Sequence, residues 1–235
     1  MNARTDPPAA ASAEALLQFI ESRRSVRAFL PEPVPRASIE RIIAAAARAP
    51  SGTNTQPWHV HVLTGAARDR LVAQVCHAFD HEAEQHHYEY AYYPKEFFEP
   101  YLSRRRQVGF ALYGLLGIAK GDRAAMHAQH RRNFCFFDAP VGLMFTIDRR
   151  MGQGSWLDFG GFMQNVMLAA RACGYDTCPQ AAWVQFHRIV GAALQLPENE
   201  QLVCGMALGR ADPAAPENRL VSERAALAEY VRFHD

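Results

Sequence analysis

Three short clusters in this 235-residue chain combine residue types that can do chemistry. The first is Arg23-Arg24-Ser25-Val26-Arg27. In an extended segment the period of two puts Arg23, Ser25 and Arg27 on one side, so that two guanidinium forks and a hydroxyl converge on a single oxyanion. Taken alone, the same string also describes a solvated basic turn. The second runs from Ala49 to Trp58, where Pro50 stops a helix and Gly52 frees the backbone ahead of a strand. Small side chains and exposed amides in this segment, which includes Pro50, Ser51 and Gly52, suit close approach to a flat heteroaromatic ring, and Asn54 can both donate and accept along the ring's polar edge. The third cluster is split between Thr177-Cys178-Pro179-Gln180-Ala181 and Gly209-Arg210-Ala211. Main-chain amides after a proline can address the same polar edge, and Arg210 at a sheet end can add a third cation to an oxyanion such as a phosphate. Separately, both pieces have an ordinary structural reading.

The elements that must position these clusters can be read from periodicity. Leu16, Leu17, Phe19 and Ile20 predict a short helix. A second is expected from about Ser38, whose hydroxyl would cap a stripe of Ile39, Ile42, Ile43 and Ala46. Trp58–Leu63, Val141–Ile147 and Leu202–Leu208 read as strands, and Ser155–Cys173 as a long helix ending at Gly174. The apolar arc of that helix is too wide for one core face, which predicts a share in a subunit interface. The order of elements predicts an α+β sheet covered by helices in a single domain over residues 13–235, preceded by a loose arm over 1–12.

Composition excludes several classes. With 25 basic and 24 acidic residues there is no global field to recruit nucleic acid or an anionic membrane. Five cysteines at irregular positions read as reduced thiols, and without a signal peptide or an apolar spanning run the expected location is cytoplasmic. His77 and His81, with Glu82, Glu84, His86 and His87 nearby, read as a solvated helix face rather than a metal site. Tyr88, Tyr90, Tyr92, Tyr93, Phe97, Phe98 and Tyr101 precede Arg104-Arg105-Arg106. Such a pairing suits a lid that sandwiches a planar substrate, and it suits core packing equally. Gly152-Gln153-Gly154 opens a dinucleotide fingerprint, but Leu157 stands where the third glycine belongs.

In this order and spacing the clusters resemble the FMN-dependent nitroreductase family, from about Leu16 to Arg210. The resemblance implies a central mixed, mainly antiparallel sheet flanked by helices in an intertwined homodimer. It implies that Arg23, Arg24, Ser25 and Arg27 hold the FMN phosphate and ribityl chain, with Arg210 as a later phosphate ligand beside Gly209. Pro50, Ser51, Gly52 and Asn54 would meet the flavin bound mainly by the other subunit. Thr177, Cys178, Pro179, Gln180 and Ala181 would lie over its reactive edge.

The expected function is an oxidoreductase taking hydride from NADH or NADPH through flavin N5 to a nitroaromatic acceptor by a ping-pong mechanism. No side chain acts as nucleophile, and cations and amides around the ring would favour the anionic reduced flavin. Ser51, Gly52, Tyr101 and Arg105 are the expected substrate contacts, with no metal, nucleic acid or membrane partner. Two alternatives remain: reduction of enones, quinones or halogenated phenols on the same fold, and a flavin-binding protein without turnover.

Overall fold

The computed structural model describes residues 12–234. The expected arm therefore lies outside the described residues except for Ser12. Its Oγ accepts the Ala15 N–H at 3.2 Å and caps the first helix, α1 (Ala13–Glu21). The chain continues through α2 (Arg36–Ala46), β1 (Trp58–Thr64), α3 (Gly65–His81), α4 (Tyr101–Leu115) and α5 (Arg123–Arg131). It then runs through β2 (Val141–Asp148), α6 (Gln153–Ala172), β3 (Asp176–Gln180), α7 (His187–Leu194), β4 (Glu200–Gly209) and α8 (Leu227–Tyr230).

The four strands form one sheet in the order β1-β2-β4-β3, every ladder antiparallel. The parallel component is a bridge from Ser25 to Thr177 on the outer side of β3. Central β2 is buried from Val141 to Ile147, because helices cover both faces of the sheet. Its side chains alternate accordingly. Val141, Leu143, Phe145 and Ile147 join the layer of α2 and α6, while Met144 joins the opposite layer of α3, Phe134, Trp183 and Phe186. Between Phe145 and Thr146 the partner in β4 jumps from Cys204 to Leu202, so Val203 is the extra residue of a bulge.

Two glycines shape the second layer. A Cβ on Gly142 would lie 2.3 Å from Phe136, and one on Gly205 would lie 2.4 Å from Trp183. Phe136 and Trp183 stack at 4.5 Å in the space these glycines leave. This seats the turn that follows β3.

Three local expectations need correction. Helix α2 starts at Arg36 with Pro35 at its N-cap, so Ser38 lies inside the first turn and caps nothing with its side chain. The fixed φ of Pro35 (−58°) starts the helix three residues earlier than a hydroxyl cap at Ser38 would. Helix α6 starts at Gln153, two residues before the expected Ser155, and Gly174 follows its end with φ +79° as a left-handed terminator. Thr177–Gln180 belongs to a strand that periodicity did not reveal. Pro179 removes a donor, which an outer strand tolerates, and β4 on one side with the Ser25–Val26 segment on the other supplies the pairing.

Candidate functional site

Arg23 and Arg24 line a cavity of about 870 Å³ at the C-terminal end of α6, together with Ser22, Arg171, Ser222 and Arg224. Glu21 is the acidic side chain in the same wall. Arg171 is anchored by Asp176 at 2.6 Å and by the Ser22 hydroxyl at 3.2 Å, yet its Nε is buried without a partner among the described residues. Burial lowers the pKa of Arg23, and the like charge of Arg224 lowers it further. The cavity thus concentrates positive charge that its own wall does not offset.

The strand-like segment carrying these residues is pinned from both sides. Val26 N–H donates to Thr177 O at 3.0 Å. The buried Asn218 accepts the Arg27 N–H at 2.8 Å and donates its amide to Ala28 O and Asp212 O at 2.8 and 2.9 Å. The expected alternation is present. Val26 is wholly buried, whereas Arg23, Ser25 and Arg27 surround Cys178. Burial pushes that thiol up to about 11, opposed by the charge of Arg27, a hydrogen bond from Ser25 and the charge of Arg23.

The second cluster sits near the other end of α6. Thr53, Asn54 and Gln56 have φ of 48°, 62° and 47°, a left-handed conformation that costs on the order of 1–3 kcal/mol per non-glycine residue and persists only where the surroundings enforce it. Three contacts enforce it. Gly52 N–H donates to Asp158 Oδ2 at 3.0 Å, Gln56 N–H to Ser51 Oγ at 3.0 Å, and Asn54 N–H to Ser51 O at 2.9 Å. Pro50, Gly52 and Asn54 are exposed. Residues 158 and 171 are separated by about 20 Å of helix at 1.5 Å per residue. One chain therefore keeps this loop and the arginine cavity apart.

The third cluster is divided by the fold. Thr177, Cys178 and Gln180 are buried in β3, with Pro179 and Ala181 partly exposed. Gln180 turns its side chain inward and donates to Asn133 O at 2.6 Å, leaving its Oε1 unpartnered. Gly209 is a packing residue, since a Cβ there would meet Pro140 at 2.8 Å and Phe29 at 3.2 Å. Arg210 lies outside the lining of the cavity. Its Nε pairs with Glu32 at 3.1 Å and its guanidinium covers the Tyr175 ring at 5.2 Å. The cations that join Arg23 and Arg24 are instead Arg171 and Arg224, which sequence reasoning missed. The first reads as an ordinary basic residue in a last helical turn. The second lies in an irregular stretch with no local pattern.

The aromatic segment is partly packed and partly exposed. Tyr90 packs edge-on against Trp156 and donates its hydroxyl to Val203 O at 2.8 Å, whereas Tyr88, Tyr93 and Phe98 remain exposed. Tyr101 and Arg105 lie on α4, which buries no residue, and neither lines the arginine cavity. Arg105 covers the Phe97 ring at 4.4 Å, and Tyr101 meets Phe98 edge-on at 5.2 Å. Helix α4 is tied to the segment bearing Arg224 through Arg104–Glu229 at 2.9 Å and Gln107–Glu223 at 2.7 Å. Among the described residues no group of His, Cys, Asp or Glu could hold a metal ion, and no helix is long and apolar enough to cross a membrane.

Residues 20–210 match the model of the nitroreductase family. The chain is 40% identical to a nitrobenzene nitroreductase of Ectopseudomonas oleovorans, covering 92% of this chain and 95% of that one. It is 41% identical to a 4-nitrobenzoate reductase of Pseudomonas putida, covering 91% and 93%. Among solved structures, the FMN and NADPH-dependent nitroreductase NfnB from Sphigopyxis sp. strain HMH superposes with a TM-score of 0.90 at 40% identity, covering 96% of this chain and all of that one. With a family model matched from Ile20 to Arg210 and relatives alike over nearly their whole length, the chain belongs to the nitroreductase family.

Proposed function

We propose that this chain is an NAD(P)H-dependent oxidoreductase that holds FMN and reduces nitroaromatic and related electron-poor aromatic compounds, working as a homodimer in the cytoplasm. The observation that carries the reading is the arginine cavity. Arg23 and Arg224 repel one another there, and Arg171 keeps an unpartnered Nε, so a dianionic phosphate monoester fits the unmatched charge. Arg23, Arg24, Arg171 and Arg224 would hold the phosphate, with Ser25 and Arg27 toward the ribityl chain. Arg210 stays outside this set because it does not line the cavity and turns to Glu32.

Bound FMN supplies the hydride-accepting and hydride-donating centre at N5. The protein contributes position and electrostatics. Main-chain groups of Thr177–Ala181 would face the ring's polar edge, and Pro50, Ser51, Gly52 and Asn54 of a second copy would close the site. The separation of loop and cavity along α6 supports completion in trans. So do the exposed apolar side chains of Leu16, Leu17 and Ile20 on α1, Leu157 on α6 and Tyr230 and Phe233 near the C-terminus. One sheet running from residue 58 to residue 209 supports a single domain over 13–235. Donor and acceptor would occupy the same open ring face in turn, which needs no second nucleotide motif. The relatives named for nitrobenzene and 4-nitrobenzoate support the acceptor class, with Tyr101 and Arg105 as the proposed lid contacts.

The test is anaerobic mixing of the purified protein first with NADH or NADPH, then with 4-nitrobenzoate, following the flavin absorbance band. Bleaching and then recovery of the band is the expected result. A colourless protein that cannot be reconstituted with FMN would overturn the reading. Bleaching without recovery would move the acceptor to a quinone or an enone.

A further inference from the structure

Away from the arginine cavity, the sulfurs of Cys76 and Cys135 lie 3.6 Å apart. They bridge α3 to the turn over residues 132–138. Cys76 is 2% exposed, whereas Cys135 is partly exposed. Arg131 Nη1 stands 3.8 Å from the Cys135 sulfur, and the Nε of the same guanidinium donates to Asp80 at 2.8 Å. The second oxygen of Asp80 meets His127 at 3.0 Å, and Arg68 donates to Cys135 O at 3.0 Å. Phe136, Phe137 and Asp138, directly after Cys135, are three consecutive left-handed residues with φ of 52°, 52° and 70°. Such a backbone is characteristic of functional turns.

The pair is asymmetric. The contact with the Cys76 thiol, with the charges of Arg131 and Arg68, lowers Cys135 to about 7, while the same contact and burial push Cys76 up. Cys178 and Cys204, by contrast, are buried and pushed up to about 11 and about 12. Thiolate character combined with access is what makes a cysteine reactive.

We propose that Cys76 and Cys135 form a redox-active dithiol that reacts with hydroperoxides, Cys135 as the attacking sulfur and Cys76 as the resolving one. The Cys135 thiolate attacks one peroxide oxygen, the O–O bond breaks, and the departing oxygen leaves as water after taking a proton. Cys135 becomes a sulfenic acid. The Cys76 sulfur then attacks Cys135, the S–O bond breaks, and the hydroxide leaves as a second water with the Cys76 proton. In sum, two thiols and one hydrogen peroxide give one disulfide and two waters. An external thiol reverses the change by exchange. Closing the sulfurs from 3.6 Å to bonding distance requires side-chain rotation and a small shift of the turn.

The experiment treats the purified full-length protein with equimolar hydrogen peroxide, then alkylates it under denaturing conditions for intact mass and peptide mapping. Two of the five thiols should become unreactive, the protein should be two hydrogens lighter, and one peptide should link residues 76 and 135. Dithiothreitol should restore all of this. C76S should instead trap a sulfenic acid at Cys135, captured by dimedone. R131Q should slow loss of the Cys135 thiol about threefold at neutral pH, since it removes one of the charges that favour the thiolate and leaves the Cys76 contact and Arg68 in place. Retention of all the thiols, a link between another pair, or direct passage of wild-type Cys135 to sulfinic acid would overturn the proposal.

Discussion

The two ends of α6 solve different problems with different physics. At its C-terminal end, Arg171 joins Arg23, Arg24 and Arg224 around a cavity whose character is net positive charge. At its N-terminal end, Asp158 holds a loop whose character is shape, with three non-glycine residues in the left-handed region and exposed small side chains. The first end is assembled within one chain from segments some 200 residues apart, Arg23 and Arg224. The second is a local turn, held from behind by Asp158, that presents its small side chains outward. Charge is gathered here by folding, whereas the loop's outward face is the surface proposed to meet the ring in a second copy.

The strongest way to break this contrast is to empty the cavity of charge. Replacing Arg23 and Arg224 together by Ala should weaken FMN binding by at least about 100-fold, since each charge-assisted contact contributes roughly 1.5–3 kcal/mol. Quenching of flavin fluorescence on titration measures this. Unchanged affinity would move the phosphate elsewhere.

Next in size is a complementation experiment. A heterodimer pairing a chain with the Arg23→Ala and Arg224→Ala changes and a chain with Asn54→Ala and Ser51→Ala should retain about half the wild-type turnover. If the loop completes its partner's site, one of the two sites carries both lesions and the other carries none. Near-complete loss of turnover in the purified heterodimer would place loop and cavity in the same chain's site.

A smaller effect is expected at Asp158→Ala, which frees the Gly52 N–H and relaxes the left-handed loop. The kcat/KM for a nitroaromatic acceptor should fall about tenfold, while FMN affinity stays within about twofold, consistent with loss of a hydrogen bond to a charged group. A matching fall in FMN affinity would show that the two ends of α6 are not separable. The smallest effect belongs to Arg210→Ala. Its pair with Glu32 is exposed, with side chains 50% and 56% accessible, and such pairs contribute about 0–1 kcal/mol. FMN affinity should change by less than about threefold, and a loss as large as that at Arg23 would restore Arg210 to the phosphate site.

Much of this contrast was legible before folding. The Arg23–Arg27 alternation survives as written, with Val26 inward and Arg23, Ser25 and Arg27 around Cys178. The loop was legible because Pro50 and Gly52 are strong local signals, and three strands and the long helix announced themselves by period. The illegible parts share a cause. Strand β3 contains Pro179 and is short, so its pairing comes from β4 and from residues 25–26 rather than from its own pattern. Arg210 stands out along the chain because it follows a strand, and Arg224 does not stand out; the position of Glu32 beside one and the cavity beside the other reverses that order.

By itself, the sequence determined what is local: the periods that make strands and helices, the proline and glycine that break them, and residue types suited to an oxyanion and a flat ring. Only the tertiary structure decided which cations stand together, which glycines exist for packing, as Gly205 does under Trp183, and which cysteine sulfurs touch. The physical reason is range. Backbone preference and capping act over a few residues, whereas charge compensation, close packing and thiol contact depend on through-space distances that no spacing along the chain encodes.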